Sequence, residues 1–219
     1  MNKDFHEKSN ASRIAFEDVV WPEIRGEIGD GRLHSNEGTS SPLDVIAGID
    51  AWQIIEDRGV AVSIASRVQF VERSYYSFTV RYDLSSGKET EHDKRLRAVE
   101  LGATLPDLTV QAYIAKLSGE FINAGIVGTR ELWDYISRNM ASLLKNTKAN
   151  PEDGNLFYPV YWQAIRRAGI RTIIVPDDTN KRPVDQPINT MARPEDKQLI
   201  LPFCEEIVPA QDWTKLSRR

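Results

Sequence analysis

The segment from Gly48 to Phe70 constrains the fold more than any other part of the chain. Two runs rich in apolar and β-branched residues, 49–55 and 60–70, flank Glu-Asp-Arg-Gly, a composition typical of a tight turn. This pattern predicts two neighbouring β-strands. Asp50 stands at the beginning of the first strand, and Arg67 and Gln69 lie near the end of the second.

The rest of the chain predicts further elements on both sides of this hairpin. We expect a helix at 11–20 that ends at Trp21-Pro22, because proline restricts the residue before it, and a loop at 26–42 with room for one short strand. Beyond the hairpin, the patterns predict a strand at 75–83, a helix at 90–101 with Gly102 as its C-cap, a strand at 108–115, a helix at 130–144 capped by Thr129, mixed structure at 158–168, a strand at 170–175, a proline-bearing loop at 176–197 and a strand at 199–203.

This order of elements predicts an α/β fold. Its αβββαβ core would form a mixed β-sheet of about four to six strands flanked by helices. Only the two strands joined through a helix must be parallel. We expect the core to span residues 1–145 and an extension, 146–219, to pack on it with partly irregular structure.

Composition limits the partners and the compartment. The 219 residues carry a net charge of −4, so bulk electrostatics do not favour coating of nucleic acid, although a local basic patch stays open. Cys204 is the single cysteine, which excludes an intrachain disulfide and a cysteine-based zinc site. We expect no membrane association and a cytoplasmic location, since no apolar run approaches roughly 18 residues and no signal-peptide pattern begins the chain.

The predicted order, with Asp50 at a strand start and polar residues on the next strand, resembles the PD-(D/E)XK or restriction-endonuclease-like superfamily over residues 11–145. In that superfamily an aspartate and a second acid bind Mg²⁺, and a lysine two residues after the second acid positions water or stabilises charge. The resemblance implies that Asp50 is the first metal ligand. Two carboxylates suffice for Mg²⁺, which keeps several of its waters.

The second motif of the superfamily is degenerate here. Alternation places Ala65, Arg67 and Gln69 on one face of the second strand, so the acid-x-lysine position holds Ala65-x-Arg67 or Arg67-x-Gln69. The missing acid would come from Glu17 on the first helix or from Glu91 on the later one. In this interpretation Arg67 stabilises the charge on the phosphorane, and Gln69 orients water or phosphate.

Each of these residues also has a structural interpretation. Asp50 could cap a strand or close a turn with Gly48. Arg67 needs a partner inside an apolar strand, and that partner could be Asp50, Glu17 or a phosphate. Alternating charge over 88–97 is typical of a solvated helix face. If that helix borders the Asp50 cleft, the candidates for contacts with the DNA backbone are Arg81, Lys94, Arg95 and Arg97.

The sequence therefore leads to one functional hypothesis and two alternatives. The first is a Mg²⁺-dependent nuclease that acts on DNA phosphodiesters, in a superfamily often found in phage, mobile-element and defence systems. The second is a module that kept the nuclease fold, lost catalysis, and binds DNA or a protein partner. The third is a subunit of a larger assembly or homo-oligomer that docks through its C-terminal third.

Overall fold

A computed structural model describes residues 10–29, 31–35, 48–84, 87, 89–150 and 154–177, all within the unit Met1–Val184. The described residues form a mixed α/β fold, as the order of elements predicted. Nine strands are present among them: β1 Arg32–Ser35, β2 Ala51–Ile55, β3 Val60–Val71, β4 Ser77–Asp83, β5 Leu108–Ala115, β6 Phe121–Gly128, β7 Lys148–Ala149, β8 Leu156–Tyr161 and β9 Thr172–Val175. The helices are α1 (residues 10–28), α2 Glu91–Glu100, α3 Thr129–Leu143 and α4 Trp162–Arg167.

The main sheet has six strands in the order β1-β2-β3-β5-β6-β9. Strands β3 and β5, which are connected through β4 and α2, pair in parallel. The two strands expected to be parallel because the helix at 90–101 joins them, 75–83 and 108–115, lie in different sheets. All other neighbours in this sheet are antiparallel. The edge strand β9 lies beyond residue 145, in the segment that the sequence analysis assigned to a C-terminal extension.

The strand predicted at 75–83 exists, but it does not belong to the main sheet. It forms β4, which pairs with β8 in a separate three-stranded sheet of order β4-β8-β7. The first strand of the main sheet is instead β1, within the segment predicted as a loop with room for one strand. Alternation identifies a strand but contains no information about which sheet the strand joins.

The prediction that Trp21-Pro22 ends the first helix is wrong. Helical structure continues to Ile28, because a π-helical turn, Phe16–Val20, precedes the proline. In this turn the N–H of Trp21 donates to the carbonyl of Phe16, five residues earlier. The wider turn changes the i→i−4 pattern that a proline ring would otherwise disrupt.

Two further differences occur around β6. Its sequence, with two glycines in eight residues, has low strand propensity and gave no expectation of a strand. Thr129 is the first residue of α3 and not its cap, which is Gly128. The hydroxyl of Thr129 instead lies 2.8 Å from that of Thr109 on β5.

Two apolar cores cover the two faces of the main sheet. On one face, α1 packs against alternate residues of the central strands, including Ile64 and Val68. On the other face, the second sheet and the helices α3 and α4 surround Tyr113 and Trp162. Within the described part of the chain, no helix combines the length and apolar character needed to span a bilayer. The elements predicted beyond residue 177, together with Cys204, lie outside the described residues.

Candidate functional site

Asp50 lies directly before β2, where the resemblance places the first acid. Its main-chain N–H donates to the carbonyl of Ile64 at 2.9 Å. Its Oδ2 accepts a hydrogen bond from the main-chain N–H of Ser66 at 2.6 Å, and the Ser66 hydroxyl lies 3.4 Å away. The carboxylate therefore continues the hydrogen bonding of β3 at the point where β2 begins. This is the strand-capping role that the structural interpretation of Asp50 described.

A second aspartate, which the sequence analysis did not single out, has the same role on the other side of β3. Asp107 lies directly before β5, and its Oδ2 accepts hydrogen bonds from the main-chain N–H and the hydroxyl of Ser63, at 2.7 and 2.6 Å. The main-chain N–H of Asp107 donates to the hydroxyl oxygen of Ser63 at 2.9 Å. The Pro-Asp pair immediately before a strong strand pattern was the available signal.

Arg67 is on the face of β3 opposite to α1, and it reaches β4. Its Nη1 donates to the Thr79 carbonyl at 2.5 Å and lies 3.6 Å from Oε2 of Glu91. The side chains of Arg67 and Glu91 are 27% and 47% exposed, so the ion pair is open to solvent. Gln69, two residues further along the same strand, is half-buried and pairs in register with Tyr113.

Arg67 belongs to a row of polar side chains that hold β4 over the main sheet. The carbonyls of residues 75, 77 and 79 point away from β8, and each accepts a hydrogen bond from a side chain of the main sheet. The donors are Asn123 (3.0 Å), Tyr113 (2.7 Å) and Arg67 (2.5 Å), respectively. The N–H of Thr79 completes the row by donating to Oε1 of Gln111 at 3.4 Å. Burial raises the pKa of the Tyr113 hydroxyl, which keeps it a donor.

Helix α2 lies against the beginning of β2 through an arginine. Arg95 is 8% exposed, and its Nη2 donates to the Gly48 carbonyl at 3.1 Å. Gly48 has a φ of +59°, and a Cβ at this position would overlap the Arg95 guanidinium. The buried position of Arg95 conflicts with the expectation that it contacts DNA on an exposed helix face.

A buried histidine anchors the same face of this helix, three residues before Arg95. His92 is 5% exposed and lies among the rings of Tyr82, Trp133 and Tyr158, with centroid distances of 5.2, 6.2 and 5.8 Å. Burial lowers the pKa of His92, although the nearby Asp93 and Glu91 act in the opposite direction. Thr90 caps the helix in a reciprocal capping box with Asp93.

Glu17 belongs to the opposite face of the main sheet from Arg67. It lies on α1 and forms an ion pair of 2.7 Å with Arg13, one helical turn earlier. With Trp21, Arg25 and Arg32 it lines an open hollow of about 520 Å³ between α1 and β1. The structure therefore brings Glu91, and not Glu17, next to Arg67.

The remaining cations proposed to contact DNA differ in their exposure. Arg81 on β4 and Lys94 on α2 are exposed. Arg97 is also largely exposed, with 59% of its side chain accessible, but it forms an ion pair with Glu89. Of the four cations predicted to contact DNA, Arg81, Lys94 and Arg97 are therefore accessible to a phosphate backbone, and Arg95 is not.

The three acidic candidates do not fit a Mg²⁺ site as they are arranged. Asp50 accepts the Ser66 N–H, Glu17 pairs with Arg13, and Glu91 lies beside the cation Arg67. In the described ranges there is no group of three His, Cys, Asp or Glu side chains that could hold a metal ion. A cation at Glu91 would also have to overcome repulsion from Arg67.

Comparison of the chain with models of protein families, with curated proteins and with solved structures found no match to any of them. A function for this protein therefore has to be inferred from the positions and the chemistry of its own residues.

Proposed function

We propose that this protein is a restriction-endonuclease-like module that binds the DNA backbone without cleaving it. The observation that carries the proposal is that Asp50, Glu17 and Glu91 each have a hydrogen-bond or ion-pair partner within the protein. The architecture supports the link to this superfamily, because Asp50 precedes β2 and a helical crossover joins the parallel strands β3 and β5. A DNA-binding role is in keeping with a cytoplasmic location.

Binding would use the exposed cations near the Arg67–Glu91 pair. Lys94 extends from α2 and Arg81 from β4, two elements that contact each other. A phosphate could also replace Glu91 as the partner of Arg67, because a phosphate offers the guanidinium a bidentate acceptor. Such contacts do not read base sequence, so we expect affinity that depends on salt and hardly on sequence.

Fluorescence anisotropy with a labelled DNA duplex tests this proposal. We expect affinity to fall between about 50 mM and about 200 mM salt, and the double variant K94A/R81A to reduce the salt slope by roughly one to two. The matched control is Arg138→Ala on α3, whose side chain is 77% exposed. Binding that is absent at low salt, or that the control weakens as much as the double variant does, would contradict DNA binding at this surface.

The Mg²⁺-dependent nuclease is the second candidate, and one observation favours it. Glu91 is half-exposed and lies 3.6 Å from Arg67, which occupies the position of the family lysine if the second motif is Ala65-x-Arg67. A supercoiled plasmid incubated with Mg²⁺ or Mn²⁺ separates the two candidates. Nicking that Asp50→Asn and Glu91→Gln both abolish would establish the nuclease. We expect no nicking, because Asp50, Glu17 and Glu91 each already have a partner within the protein. Asp50→Asn is a suitable variant because it retains an oxygen acceptor for Ser66 and removes only the charge.

A further inference from the structure

Arg67 uses only one nitrogen of its guanidinium within the protein. Nη1 donates to the Thr79 carbonyl and lies 3.6 Å from Oε2 of Glu91. Nε and Nη2 have no acceptor in the described part of the chain, and neither atom is fully buried. These two nitrogens form the edge of a guanidinium that binds a carboxylate or a phosphate through two parallel hydrogen bonds. That edge is therefore available to a ligand from solvent.

Two glutamines on the same face of the main sheet also have unused hydrogen-bonding groups. Gln69 follows Arg67 by two residues on β3, and its half-buried amide has no partner among the described residues. Gln111 pairs in register with Arg67, is 2% exposed, and has a buried Nε2 with no acceptor in that same part of the chain. A buried N–H without an acceptor is costly, so this group of donors favours a ligand with several oxygen atoms.

These three side chains, which we call the Arg67 recess, lie below two other elements. Strand β4 covers Arg67 through the Thr79 carbonyl, helix α2 borders it through Glu91, and the two elements contact each other. As a result, the Arg67 side chain is only 27% exposed. A phosphate within a continuous strand has a sugar on both sides and meets a protein at its outer surface. A phosphate at the end of a strand projects from the duplex and can enter a recess.

The Glu91 carboxylate is a weak partner for this group of donors. Its distance of 3.6 Å from Nη1 exceeds the roughly 2.7–2.9 Å of a charge-assisted hydrogen bond, and its side chain is 47% exposed. An ion pair open to solvent contributes little to stability, so its replacement has a low cost. A phosphate monoester offers three acceptor oxygens and a charge of about −1.5 to −2 at pH 7. It therefore satisfies more of the donors than Glu91 does.

We propose that the Arg67 recess binds a phosphate monoester at the end of a DNA strand. The open edge of Arg67 binds two of its oxygens, the Gln69 amide donates to a third, and Gln111 forms the polar floor of the site. Glu91 turns away into solvent when the phosphate binds. This inference rests on the proposed DNA binding, in which surface cations contact the adjoining backbone, and it adds a preference for phosphorylated ends.

Fluorescence anisotropy of the full-length chain with duplexes of one sequence tests this preference. The duplexes carry a 5′-phosphate, a 3′-phosphate or only hydroxyl groups at the unlabelled end. We expect at least roughly tenfold tighter binding of one phosphorylated duplex than of the hydroxyl-ended duplex, the effect of a charged hydrogen-bonded contact. Equal affinity for the three duplexes overturns this inference and leaves the proposed DNA binding intact. Absence of binding to every duplex overturns both.

Two variants distinguish the Arg67 recess from a general attraction between charges. Gln69→Leu keeps the approximate volume of the side chain and removes its amide, and we expect it to reduce the preference for the phosphorylated end by at least about threefold. Glu91→Gln removes the competing carboxylate and should increase the preference. The matched control is Gln163→Leu, at a half-buried glutamine of α4, and circular dichroism verifies that each variant folds. A preference that Gln69→Leu reduces no more than the control does, or that Glu91→Gln lowers, overturns the proposal.

Discussion

Asp50 and Asp107 cap the same strand from its two sides. Each lies immediately before a neighbour of β3, and each accepts a hydrogen bond from a main-chain N–H of that strand, Ser66 at 2.6 Å and Ser63 at 2.7 Å. The strands that follow them, β2 and β5, both begin opposite Ile64. Along β3, the residues paired with β2 therefore end at Ile64 and the residues paired with β5 begin there. Beyond that residue on each side, an aspartate carboxylate accepts a main-chain N–H that has no strand partner.

We predict that removal of the Asp50 carboxylate destabilises the protein. Asp50→Ala leaves the Ser66 N–H without its charged acceptor, a loss of about 1–3 kcal/mol in the free energy of unfolding, measured by urea denaturation. Asp50→Asn should lose less, because an amide oxygen can still accept the bond. Asp107→Ala is the matched comparison and should also destabilise. An Asp50→Ala variant more stable than the parent would instead indicate a carboxylate under electrostatic strain, as in a metal site.

The bond between Arg67 and β4 gives a second prediction. Arg67→Met keeps the aliphatic part of the side chain but removes the donor to the Thr79 carbonyl, so we expect a loss of about 1–3 kcal/mol in unfolding free energy. Arg138→Met on the surface of α3 should change stability by less than about 0.5 kcal/mol. Equal effects of the two substitutions would show that Arg67 does not hold β4.

His92 predicts that stability depends on pH. Burial lowers its pKa in the folded protein below 6.5, so the unfolded chain binds the proton first as the pH falls. Stability should therefore decrease as the pH drops from about 6.5 towards the lowered pKa of the folded state. His92→Phe fits the aromatic surroundings and removes the titrating group. Urea denaturation at pH values above and below this window should show a smaller pH effect in the variant, and an unchanged effect would exclude His92 as the cause.

Substitution of two glycines by alanine should change the stability of the protein in opposite directions. A Cβ at Gly125 would overlap the indole of Trp162, which is fully buried, so Gly125→Ala should cost about 1–3 kcal/mol. At Gly26, in the exposed part of α1, nothing lies within 4 Å of the added Cβ, and Gly26→Ala should stabilise by about 0.5–1 kcal/mol. Thermal unfolding of both variants is sufficient to compare the signs. A shift in the same direction for both would contradict the packing of Trp162 on Gly125.

Local patterns predicted the elements well where strand-forming residues, or helix formers with an ordered run of charges, occupy one continuous segment. The hairpin of β2 and β3, the strand at 108–115 and the helix at 90–101 all lie within two residues of their expected bounds. The sheet in which β4 lies was not predictable, because its place depends on side chains from three other strands, Arg67, Tyr113 and Asn123. The sequence brought Asp50 and Arg67 to attention, but their partners, Ser66 and Thr79, are main-chain groups that have no sequence signature.

The attachment of β4 implies an unequal tolerance to substitution. The carbonyls of Tyr75, Ser77 and Thr79 belong to the backbone, so almost any residue in those places can still receive the bonds. The opposing donors are a guanidinium, a phenol and an amide, whose length and direction few other residues reproduce. Among relatives, the residues at positions 75, 77 and 79 should therefore vary widely, and the donors Arg67, Tyr113 and Asn123 should vary little. Both sides nevertheless contribute equally to holding β4 on the main sheet.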